Sequence, residues 1–459
     1  MIMKKYDVVV VGAGPGGYSL AARLGMNGKK VAIIERNKLG GTCVNIGCVP
    51  TKSLINSARL IGESKEFEKF GLNASGYHHK LEKIVENAAN ISKTLNGAIA
   101  NALSGAGVEV FLGKTAKFID KHTIDLEGTK ISAEKFVIAT GSRSNQFSVE
   151  NSYEAAKVGK LIHSTSALKL SELPKKLVII GSGIIALEFA YFYSTLGTEV
   201  TLLEYGAVAM PAYDSDLREE IQNMLSESKV KILTEVRFEK FDEKLNLVTT
   251  IQGKKQVFEA DKFFAAVGRH ANSELIKGIV DLDQRGNIIV DENQVTSEKH
   301  ILALGDVTGK KMLSSVAYRM GDAVFQNLMG MPIDKVNVDH IPSSLYLSLD
   351  VASVGLNEKQ LKDKGIEYKV LKVGAGNLPR MHAEQNTKFG FLKLLIDPKK
   401  DALLGAHIIL DGASLIINTL ALAVSGKIKL KDLMTIGYTH PTIAEAIYYA
   451  LASHYFGKK

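Results

Sequence analysis

The fold is decided by residues 7–35, which read DVVVVGAGPGGYSLAARLGMNGKKVAIIE. The apolar run from Val8 to Val11 predicts a buried parallel strand. A glycine-rich turn follows it, then a helical stretch, then a second apolar run that ends at Glu35. Strand, glycine turn, helix and strand in this order predict one half of a doubly wound α/β domain.

The three glycines of this turn have separate tasks in a nucleotide-binding unit. Gly12 allows the tight turn after the strand, Gly14 lets a pyrophosphate approach the backbone, and Gly17 lets the helix pack on the strand. The helix N-terminus then offers free N–H groups to the phosphate. Glu35, at the end of the second strand, can accept both ribose hydroxyls of an adenosine. A glycine-rich turn with a surface glutamate is the alternative, and the flanking strands and helix argue against it.

The same pattern returns at residues 177–204, which read LVIIGSGIIALEFAYFYSTLGTEVTLLE. Gly181, Gly183 and Ala186 stand at the three glycine positions, although the alanine departs from the plain pattern. Glu204 ends the second strand, where a carboxylate favours the free 2′-hydroxyl of NAD and repels the 2′-phosphate of NADP. Because no arginine lies between Glu204 and Asp216, no cation is expected to receive that phosphate. We therefore predict a second nucleotide-binding unit that takes NAD.

The rest of the chain shows two further sequence patterns. Residues 79–104 have the pattern of an amphipathic helix, and residues 108–139 that of short strands. From residue 337, short strands are followed by helices near 412–426 and 441–456, as in an antiparallel sheet covered by helices. The predicted class is α/β, with two Rossmann-like dinucleotide-binding domains plus a C-terminal α+β domain.

The composition excludes several classes of protein. The chain has 459 residues, of which 46% are hydrophobic and 23% charged, so it is neither disordered, nor collagen-like, nor a small disulfide scaffold. Its formal net charge of +8 comes from scattered basic residues, which favours a solvated surface over nucleic-acid binding and leaves an acidic protein partner open. No targeting or membrane-spanning segment is recognisable, so we expect a cytoplasmic protein.

The only two cysteines are Cys43 and Cys48, within GGTCVNIGCVPTK at residues 40–52. A regular helix would hold them apart, so a disulfide between them needs a bend, for which Gly47 and Pro50 are the candidates. A bent disulfide in a cytosolic chain is more often reactive than structural. Two buried free thiols, or half of a zinc site, are the alternatives; no other cysteine could complete the latter, and no metal is predicted.

The segment GGTCVNIGCVPTK, together with the two nucleotide motifs in the same order, resembles the flavoprotein disulfide reductases over nearly the whole chain. This resemblance implies FAD in the first unit and a redox-active disulfide. It implies that Cys48 is the thiol nearest the flavin and that Cys43 exchanges with the substrate. It also implies that Lys52, paired with Glu188, lies beside the flavin.

The resemblance further implies a division of the chain and more cofactor contacts. The domains are a FAD-binding domain (1–146), a NAD-binding domain (147–268), a central domain that completes the FAD site (269–336) and an interface or dimerisation domain (337–459). The additional cofactor-binding positions are Thr42, Thr140, Gly141, Gly268 and Asp306.

The segment GYTHPTIAE at residues 437–445 carries a candidate acid–base group. Pro441 suits the first turn of a helix, and Glu445 would then reach back to His440. A histidine before a proline is more often structural, but HPTxxE resembles the family's acid–base dyad, which acts across a dimer interface on the other subunit's disulfide. His78 and His79 have the pattern of a polar loop instead.

Within the family the chain is most similar to dihydrolipoyl dehydrogenase. Glutathione reductases carry arginines after the second strand of the NADPH unit, and mercuric reductases carry a further cysteine pair. Departures occur in the interface domain, at Tyr346–Leu349, Leu378–Met381, Ser414 and Tyr438. The predicted function is NAD-dependent oxidation of dihydrolipoyl groups by a homodimer that serves the lipoyl domain of a 2-oxo acid dehydrogenase or related complex. The alternative is an NAD(P)H-dependent, glutathione-reductase-like enzyme for another small disulfide.

Overall fold

The computed structural model describes residues 3–73 and 78–457. Its first nucleotide-binding unit is built on a mixed sheet with the strand order β3-β2-β1-β6-β5-β4. The elements are β1 (Lys4–Val11), α1 (Pro15–Met26), β2 (Val31–Glu35), α2 (Gly41–Ile46), α3 (Cys48–Ser64), α4 (Leu81–Gly105), β3 (Glu109–Leu112), β4 (Lys117–Asp120), β5 (Thr123–Leu126), β6 (Thr129–Ile138) and β7 (Ser142–Ser144). Strand β1 lies parallel to both β2 and β6, so its apolar run is buried on both faces.

The second nucleotide-binding unit has a fully parallel sheet with the strand order β11-β10-β9-β15-β8. Its elements are α5 (Ser152–Lys157), β8 (Leu161–Ile162), α6 (Ser164–Ala167), β9 (Lys176–Ile180), α7 (Ile184–Thr195), β10 (Glu199–Leu203), α8 (Ser215–Glu227), β11 (Lys231–Leu233), β12 (Arg237–Phe241), β13 (Leu247–Ile251), β14 (Lys254–Phe258) and β15 (Lys262–Ala265). Strands β12, β13 and β14 form a separate antiparallel sheet.

The chain then returns to the first unit. The elements here are β16 (Arg269–Ala271), β17 (Ile301–Ala303) and α9 (Ser314–Leu328). Strand β16 pairs with β7, and β17 lies parallel to β6 at the first sheet. Residues 269–336 therefore add a strand to the first sheet, and the exact domain boundaries remain predictions.

The C-terminal part is an antiparallel sheet, in the order β18-β19-β22-β21-β20, covered by helices. Its elements are β18 (Ser343–Tyr346), β19 (Asp350–Gly355), α10 (Glu358–Asp363), β20 (Lys369–Gly374), α11 (Pro379–Ala383), β21 (Phe391–Asp397), β22 (Ala402–Leu410), α12 (Ala413–Val424), α13 (Leu430–Thr435) and α14 (Glu445–Phe456). Short 3-10 helices cover Phe67–Phe70, Glu274–Ile276, Gly305–Thr308, Val338–His340 and Ala375–Asn377.

The start of the last helix differs from the sequence-based expectation. Helix α14 begins at Glu445, so the prediction that Pro441 lies in its first turn is wrong. The Glu445 carboxylate accepts the N–H of Thr442 at 2.8 Å, which closes the preceding residues into a turn rather than a helix. The carboxylate therefore stands at the beginning of the helix instead of one turn inside it.

Two ionic contacts that each include a buried side chain tie the nucleotide-binding units to the C-terminal sheet. Arg59 of α3 reaches the Asp350 carboxylate at 2.5 Å and the Leu347 carbonyl at 2.6 Å. The second contact is the Lys393 cluster, in which the fully buried ammonium of Lys393 meets the carboxylates of Asp214, Asp216 and Glu358 at 2.8–2.9 Å. Both contacts join different parts of the fold, so they position the units relative to the C-terminal sheet.

Among the described residues, no helix combines the length and the apolar character needed to cross a bilayer.

Candidate active site

The first glycine turn leaves room only where a ligand would lie. Gly12 has φ +105°, and a Cβ atom there would stand 2.3 Å from the carbonyl oxygen of Ala139. At Gly17 a Cβ atom would stand 2.0 Å from the carbonyl oxygen of Gly12. At Gly14 no atom lies within 4 Å of that position, so the backbone there is open. The turn is closed on its inner side and open on its outer side, which suits a phosphate group.

The surroundings of this turn also fit a dinucleotide. No side chain caps the N-terminus of α1, so its first N–H groups are available to an anion. The buried Glu35 carboxylate accepts the N–H of Ala13 and the N–H of Asn37, each at 2.8 Å. Each of its oxygens keeps a further lone pair, with which it can accept a ribose hydroxyl.

The other predicted contacts on this side lie where β6 and β17 end. Asn272 donates to the Thr140 carbonyl and accepts through its own carbonyl from the Thr140 hydroxyl, and its N–H donates to the Gly141 carbonyl. Asp306 accepts a hydrogen bond of 2.5 Å from the Ser142 hydroxyl. Arg269 in turn donates to that hydroxyl at 2.8 Å, so a cation stands behind the carboxylate.

The second glycine turn has the same shape with one difference. Gly181 also has φ +105°, and a Cβ atom there would lie 2.6 Å from the Ala266 carbonyl oxygen, whereas Gly183 is open. Ala186 is fully buried, so α7 packs against the turn with a methyl group in place of a glycine. Glu204 directly follows β10, and Gly268 (φ +93°) lies beyond the end of β15.

The Glu204 carboxylate is held in place from two sides. The buried Ser182 hydroxyl donates to one oxygen at 2.5 Å, and the N–H of Gly206 donates to the other at 2.8 Å. The segment after β11 lies alongside, and it brings Arg237 onto the ring of Tyr205, with 4.3 Å between the guanidinium carbon and the ring centroid. A residue distant in sequence thus brings a cation onto the ring of Tyr205, which directly follows Glu204, and the expectation that no cation receives a 2′-phosphate here stays a prediction.

The cysteine segment bends at Gly47, which is one of the two positions predicted for the bend. Helix α2 ends at Ile46, Gly47 has φ −144° and ψ −115°, and α3 begins at Cys48. Pro50 lies inside the first turn of α3, where a proline is tolerated, and does not make the bend. The break places Cys43 and Cys48 on separate helices.

The segment is also attached to the first glycine turn. The N–H of Gly40 donates to the Ala13 carbonyl at 2.8 Å. A Cβ atom at Gly41 would lie 2.8 Å from the Cα of Gly14, so the two backbones touch. Thr42 follows in the first turn of α2. The thiols are thereby fixed close to the open face of the nucleotide turn.

The two thiols are free, and their pKa values are shifted in opposite directions. Hydrogen bonding with the Cys43 thiol lowers the pKa of Cys48 to about 6, and the Ser314 hydroxyl and the charge of Lys52 assist against the effect of burial. The same interaction with Cys48, together with burial, raises the pKa of Cys43. Ser314, the first residue of α9, lies 3.6 Å from the Cys48 sulfur. Cys48 also starts a helix of 17 residues, whose N-terminus favours an anion. The directions of the two shifts favour the thiolate on Cys48 and the thiol on Cys43.

Lys52 and Glu188 form an ion pair between α3 and α7. The ammonium lies 2.7 and 2.9 Å from the two carboxylate oxygens and 4.6 Å from the centroid of the Tyr346 ring. The N–H of Tyr346 also donates to Glu188, at 3.3 Å. Burial raises the pKa of Glu188, and Lys52 opposes that shift. The pair therefore joins both nucleotide-binding units to the C-terminal sheet and leaves a partly exposed cation one turn from Cys48.

His440 and Glu445 are paired as the sequence predicts. The imidazole Nδ1 lies 2.9 Å from a Glu445 oxygen, and the carboxylate is buried while 64% of the imidazole side chain is exposed. Burial would raise the pKa of Glu445, but hydrogen bonds with His440 and with the Thr442 N–H outweigh burial and lower that pKa. An ionised carboxylate on Nδ1 fixes the tautomer and leaves Nε2 free to accept a proton.

The sequence did not predict the roles of four side chains around these sites, which are Ser142, Arg237, Arg269 and Ser314. Two of them adjoin predicted positions, because Ser142 directly follows Gly141 and Arg269 directly follows Gly268 at the end of a predicted strand. Arg237 and Ser314 carry no such signal, since only the packing of distant segments brings them to these sites.

One group of carboxylates in the described residues is close enough to hold a cation, and it consists of Asp214, Asp216 and Glu358. The Lys393 ammonium already lies among all three. The group therefore acts as the ionic contact between the second unit and the C-terminal sheet.

A thiol pair beside one nucleotide turn, a second nucleotide unit and an exposed imidazole–carboxylate pair define a dithiol–disulfide oxidoreductase. Residues 6–321 match the family described as pyridine nucleotide-disulphide oxidoreductase, and residues 341–451 match its dimerisation domain. The chain therefore belongs to this family, and its resemblance to the flavoprotein disulfide reductases and its fold class are both confirmed. The dimerisation domain supports a homodimer.

Individual relatives lie in more than one branch of the family. The chain is 30% identical over 448 residues to the dihydrolipoyl dehydrogenase of Mycoplasma pneumoniae, covering 96% of this chain and 97% of that protein. It is 31% identical over 449 residues to the mercuric reductase of Staphylococcus aureus, covering 96% and 81%. The HOCl-induced flavoprotein disulfide reductase RclA from Escherichia coli has a similar structure, with a TM-score of 0.85, 25% identity and coverage of 97% and 99%.

Membership in the family identifies the cofactors as FAD and a pyridine nucleotide. The open turn at Gly14, the uncapped α1 and the fixed Glu35 fit an adenine dinucleotide in the first unit. Gly183 and Glu204 provide the same elements in the second unit.

Proposed function

We propose that the protein oxidises dihydrolipoyl groups with NAD, through the Cys43–Cys48 pair and FAD. The observation that carries this proposal is the pair of free thiols at the break between α2 and α3, with the Ser314 hydroxyl 3.6 Å from the Cys48 sulfur and the Lys52–Glu188 ion pair one turn further along α3. Bound FAD would carry two electrons between this pair and the nicotinamide. Gly12, Gly14, Gly17, Glu35, Thr42, Thr140, Gly141 and Asp306 are the residues proposed to hold it.

Each further side chain has a defined task in this proposal. His440, oriented by Glu445, takes a proton from the substrate dithiol, because a thiol with an ordinary pKa of about 8.5 is mostly protonated at neutral pH. When Cys43 and Cys48 are joined as a disulfide, the substrate thiolate attacks the Cys43 sulfur, and Cys48 leaves as a thiolate, which its low pKa makes a good leaving group. The second substrate thiol then attacks the mixed disulfide at the substrate sulfur, so that the lipoyl disulfide closes, Cys43 is released as a thiol and both cysteines are reduced. Lys52, held by Glu188, supplies a positive charge next to Cys48. Since His440 is exposed, it can serve the thiol pair of a second copy of the chain.

Two observations favour this member of the family over a mercuric reductase. The chain covers 97% of the dihydrolipoyl dehydrogenase of M. pneumoniae but 81% of the mercuric reductase of S. aureus. The chain also contains only two cysteines, both within the same segment. Glu204 favours NAD, because its fixed carboxylate accepts ribose hydroxyls and repels a phosphate.

Reduction of another small disulfide by NAD(P)H is the second candidate. The similar structure of RclA supports it, as do the departures at Tyr346–Leu349, Leu378–Met381, Ser414 and Tyr438 in the C-terminal sheet. Steady-state rates with dihydrolipoamide and NAD, compared with rates with NADH and glutathione disulfide or cystine, separate the two candidates. Faster turnover of either of these disulfides with NADH than of dihydrolipoamide with NAD would reject the first proposal.

The role of His440 is tested by measuring the two half-reactions separately in stopped flow. We expect His440→Ala to slow reduction of the enzyme by dihydrolipoamide by about 10²–10⁴-fold, because the proton acceptor is lost. Reduction of bound FAD by NADH should stay near the unaltered rate. His382→Ala, which removes an exposed histidine of the same domain, is the matched control. Equal slowing of both half-reactions, or of neither, would make His440 a structural residue.

The pH dependence of alkylation tests the polarisation of the thiols. In the two-electron-reduced protein, Cys48 should react with iodoacetamide with a midpoint near pH 6, since its pKa is lowered to about 6. Cys43 should react only at much higher pH, because its pKa is raised. Peptide mapping after short labelling identifies the modified residue. A midpoint for Cys48 near the ordinary thiol value of about 8.5 would show that its thiol is not acidified in the folded protein.

A further inference from the structure

A tyrosine–arginine stack lies beside the carboxylate that ends the second strand of the second unit. Tyr205 directly follows Glu204, and the guanidinium carbon of Arg237 lies 4.3 Å from the centroid of its ring. At this distance a guanidinium is held over an aromatic face by the ring's quadrupole. Both side chains are exposed, so the stack faces solvent at the carboxyl end of the sheet.

The backbone fixes the position of this stack. The N–H of Val236 donates to the Glu204 carbonyl at 3.0 Å, and the N–H of Glu235 donates to the Gly206 carbonyl at 2.9 Å. Val236 is fully buried, which directs the next side chain, Arg237, outward. Arg237 is therefore held next to Glu204 by main-chain contacts and does not depend on the flexibility of a loop.

The charge of Arg237 is not neutralised by a neighbouring carboxylate. Within residues 3–73 and 78–457, no Asp or Glu oxygen lies within ion-pair distance of this guanidinium, Glu204 included. The Glu204 oxygens instead accept hydrogen bonds from Ser182 and Gly206. Arg237 thus keeps its five donors available, in a planar fork that matches a phosphate group.

We propose that Arg237, stacked on Tyr205, is a binding site for the 2′-phosphate of an adenine nucleotide. The neighbouring Glu204 carboxylate weakens binding at this site by charge repulsion. The inference rests on the proposed assignment of Glu204 to the adenosine ribose. A ribose bound at Glu204 has its 2′ position at the carboxyl end of the sheet, where Arg237 stands. The guanidinium would pair with a 2′-phosphate, whereas the fixed carboxylate repels it. The unaltered protein therefore prefers NAD and carries a partial site for NADP.

The experiment measures binding of two probes to the purified FAD-containing protein by calorimetry. Adenosine 2′,5′-bisphosphate carries the 2′-phosphate, and 5′-AMP is the same nucleotide without it. In Glu204→Gln, the affinity for the bisphosphate relative to 5′-AMP should rise by about tenfold or more, because the like charge is removed while the shape is kept. Adding Arg237→Gln should reverse that gain, and Arg237→Lys should keep part of it, since it retains the charge but not the fork.

Lys254→Gln is the matched control, because it removes an exposed cation from the same three-stranded sheet. In the Glu204→Gln background it should leave the affinity ratio within about twofold. If the gain survives Arg237→Gln, or if Lys254→Gln cancels it equally, Arg237 is not the site and the inference fails while the assignment of Glu204 stands. If Glu204→Gln changes the binding of neither probe, Glu204 does not contact the ribose, and the proposed NAD assignment fails with it.

Discussion

The two nucleotide-binding units share the same strand–turn–helix–strand arrangement, but they differ in how closely the helix packs and in what holds the glutamate. Both begin with a glycine at φ +105°, and in both a fixed glutamate stands at the end of the second strand or directly after it. In the first unit, α1 packs so closely that Gly17 cannot carry a Cβ atom, whereas the second unit accommodates Ala186 at the same position. Glu35 is held by two main-chain N–H groups, but Glu204 depends on the Ser182 side chain. The first unit is therefore fixed by its backbone, and the second can be altered through its side chains.

The units also differ in how they are tied to the C-terminal sheet. Arg59 of the first unit remains 23% exposed and faces one carboxylate, while Lys393 is fully buried among the carboxylates of Asp214, Asp216 and Glu358. Burial alone would lower the pKa of Lys393, but these three hydrogen bonds outweigh it and raise the pKa to about 12. The second unit therefore depends more on its ionic contact than the first unit does.

The largest effect should come from breaking that contact. Lys393→Met leaves the carboxylates of Asp214 and Glu358 without their cation, while Asp216 keeps only its contact with Lys372. We therefore expect the free energy of unfolding to fall by about 3–5 kcal/mol. Arg59→Met should cost about 1–2 kcal/mol, because the Asp350 carboxylate keeps the hydrogen bond from the Ser414 hydroxyl when the guanidinium is lost. Urea unfolding of both variants at pH 7 makes the comparison. An equal loss in the two variants would contradict the difference in burial.

The ionic contact should also show in alkaline solution. Because the folded-state pKa of Lys393 is raised from 10.5 to about 12, its stabilisation is fully present below pH 10.5 and is lost as the pH rises through about 12. Urea unfolding between pH 9 and pH 12 should show a steeper fall for the unaltered protein than for Lys393→Met. Parallel curves would mean that the pKa of Lys393 is the same in the folded and unfolded states.

The next effect tests the close packing of the first unit. Gly17→Ala places a methyl group against the Gly12 carbonyl, so we expect a loss of about 1–3 kcal/mol in unfolding free energy and of most of the bound FAD. Ala186→Gly, the reciprocal change in the second unit, should keep full FAD and cost about 1 kcal/mol. The ratio of flavin absorbance to protein, with thermal melting, measures both. Full FAD content in Gly17→Ala would remove the distinction between the units.

The smallest effect concerns how each glutamate is held. Ser182→Ala removes a hydrogen bond to Glu204, so the affinity for NADH should fall by about tenfold, which is about 1.4 kcal/mol. Ala13→Gly keeps the N–H that binds Glu35 and should leave the FAD content unchanged. NADH binding can be followed by its fluorescence in the purified protein. An unchanged affinity in Ser182→Ala would mean that Gly206 alone is enough to hold Glu204.

The sequence predicted these units well because their signals are local. The apolar runs, the glycine positions and the terminal glutamates lie within about 30 residues of each other, and the two units and the C-terminal sheet formed as expected. The bend at Gly47 could be predicted because helix geometry excluded a straight segment between Cys43 and Cys48. The Lys52–Glu188 and His440–Glu445 pairs were found through a family resemblance, since charge and spacing alone would have left them as surface residues.

The features that the sequence did not predict depend on contacts between distant segments. Arg237 reaches the neighbourhood of Glu204 only because the chain after β11 runs along the segment after β10. Lys393 stands in an apolar strand, where one basic residue gives no sign of its three partners. The start of α14 was misplaced because Pro441 suits a first helical turn, and the hydrogen bond between Thr442 and Glu445 that prevents it involves a side chain.

The low pKa of Cys48 is a property of the folded protein only. Cys48 owes its acidity to Cys43, Ser314 and Lys52, which come together only after folding. A newly made or unfolded chain therefore carries two ordinary thiols with pKa values of about 8.5, which react slowly in mildly acidic solution. Brief alkylation near pH 6 would mark folded, reduced molecules and pass over the others. The fraction of Cys48 that is alkylated therefore measures how many molecules in a sample are folded and reduced.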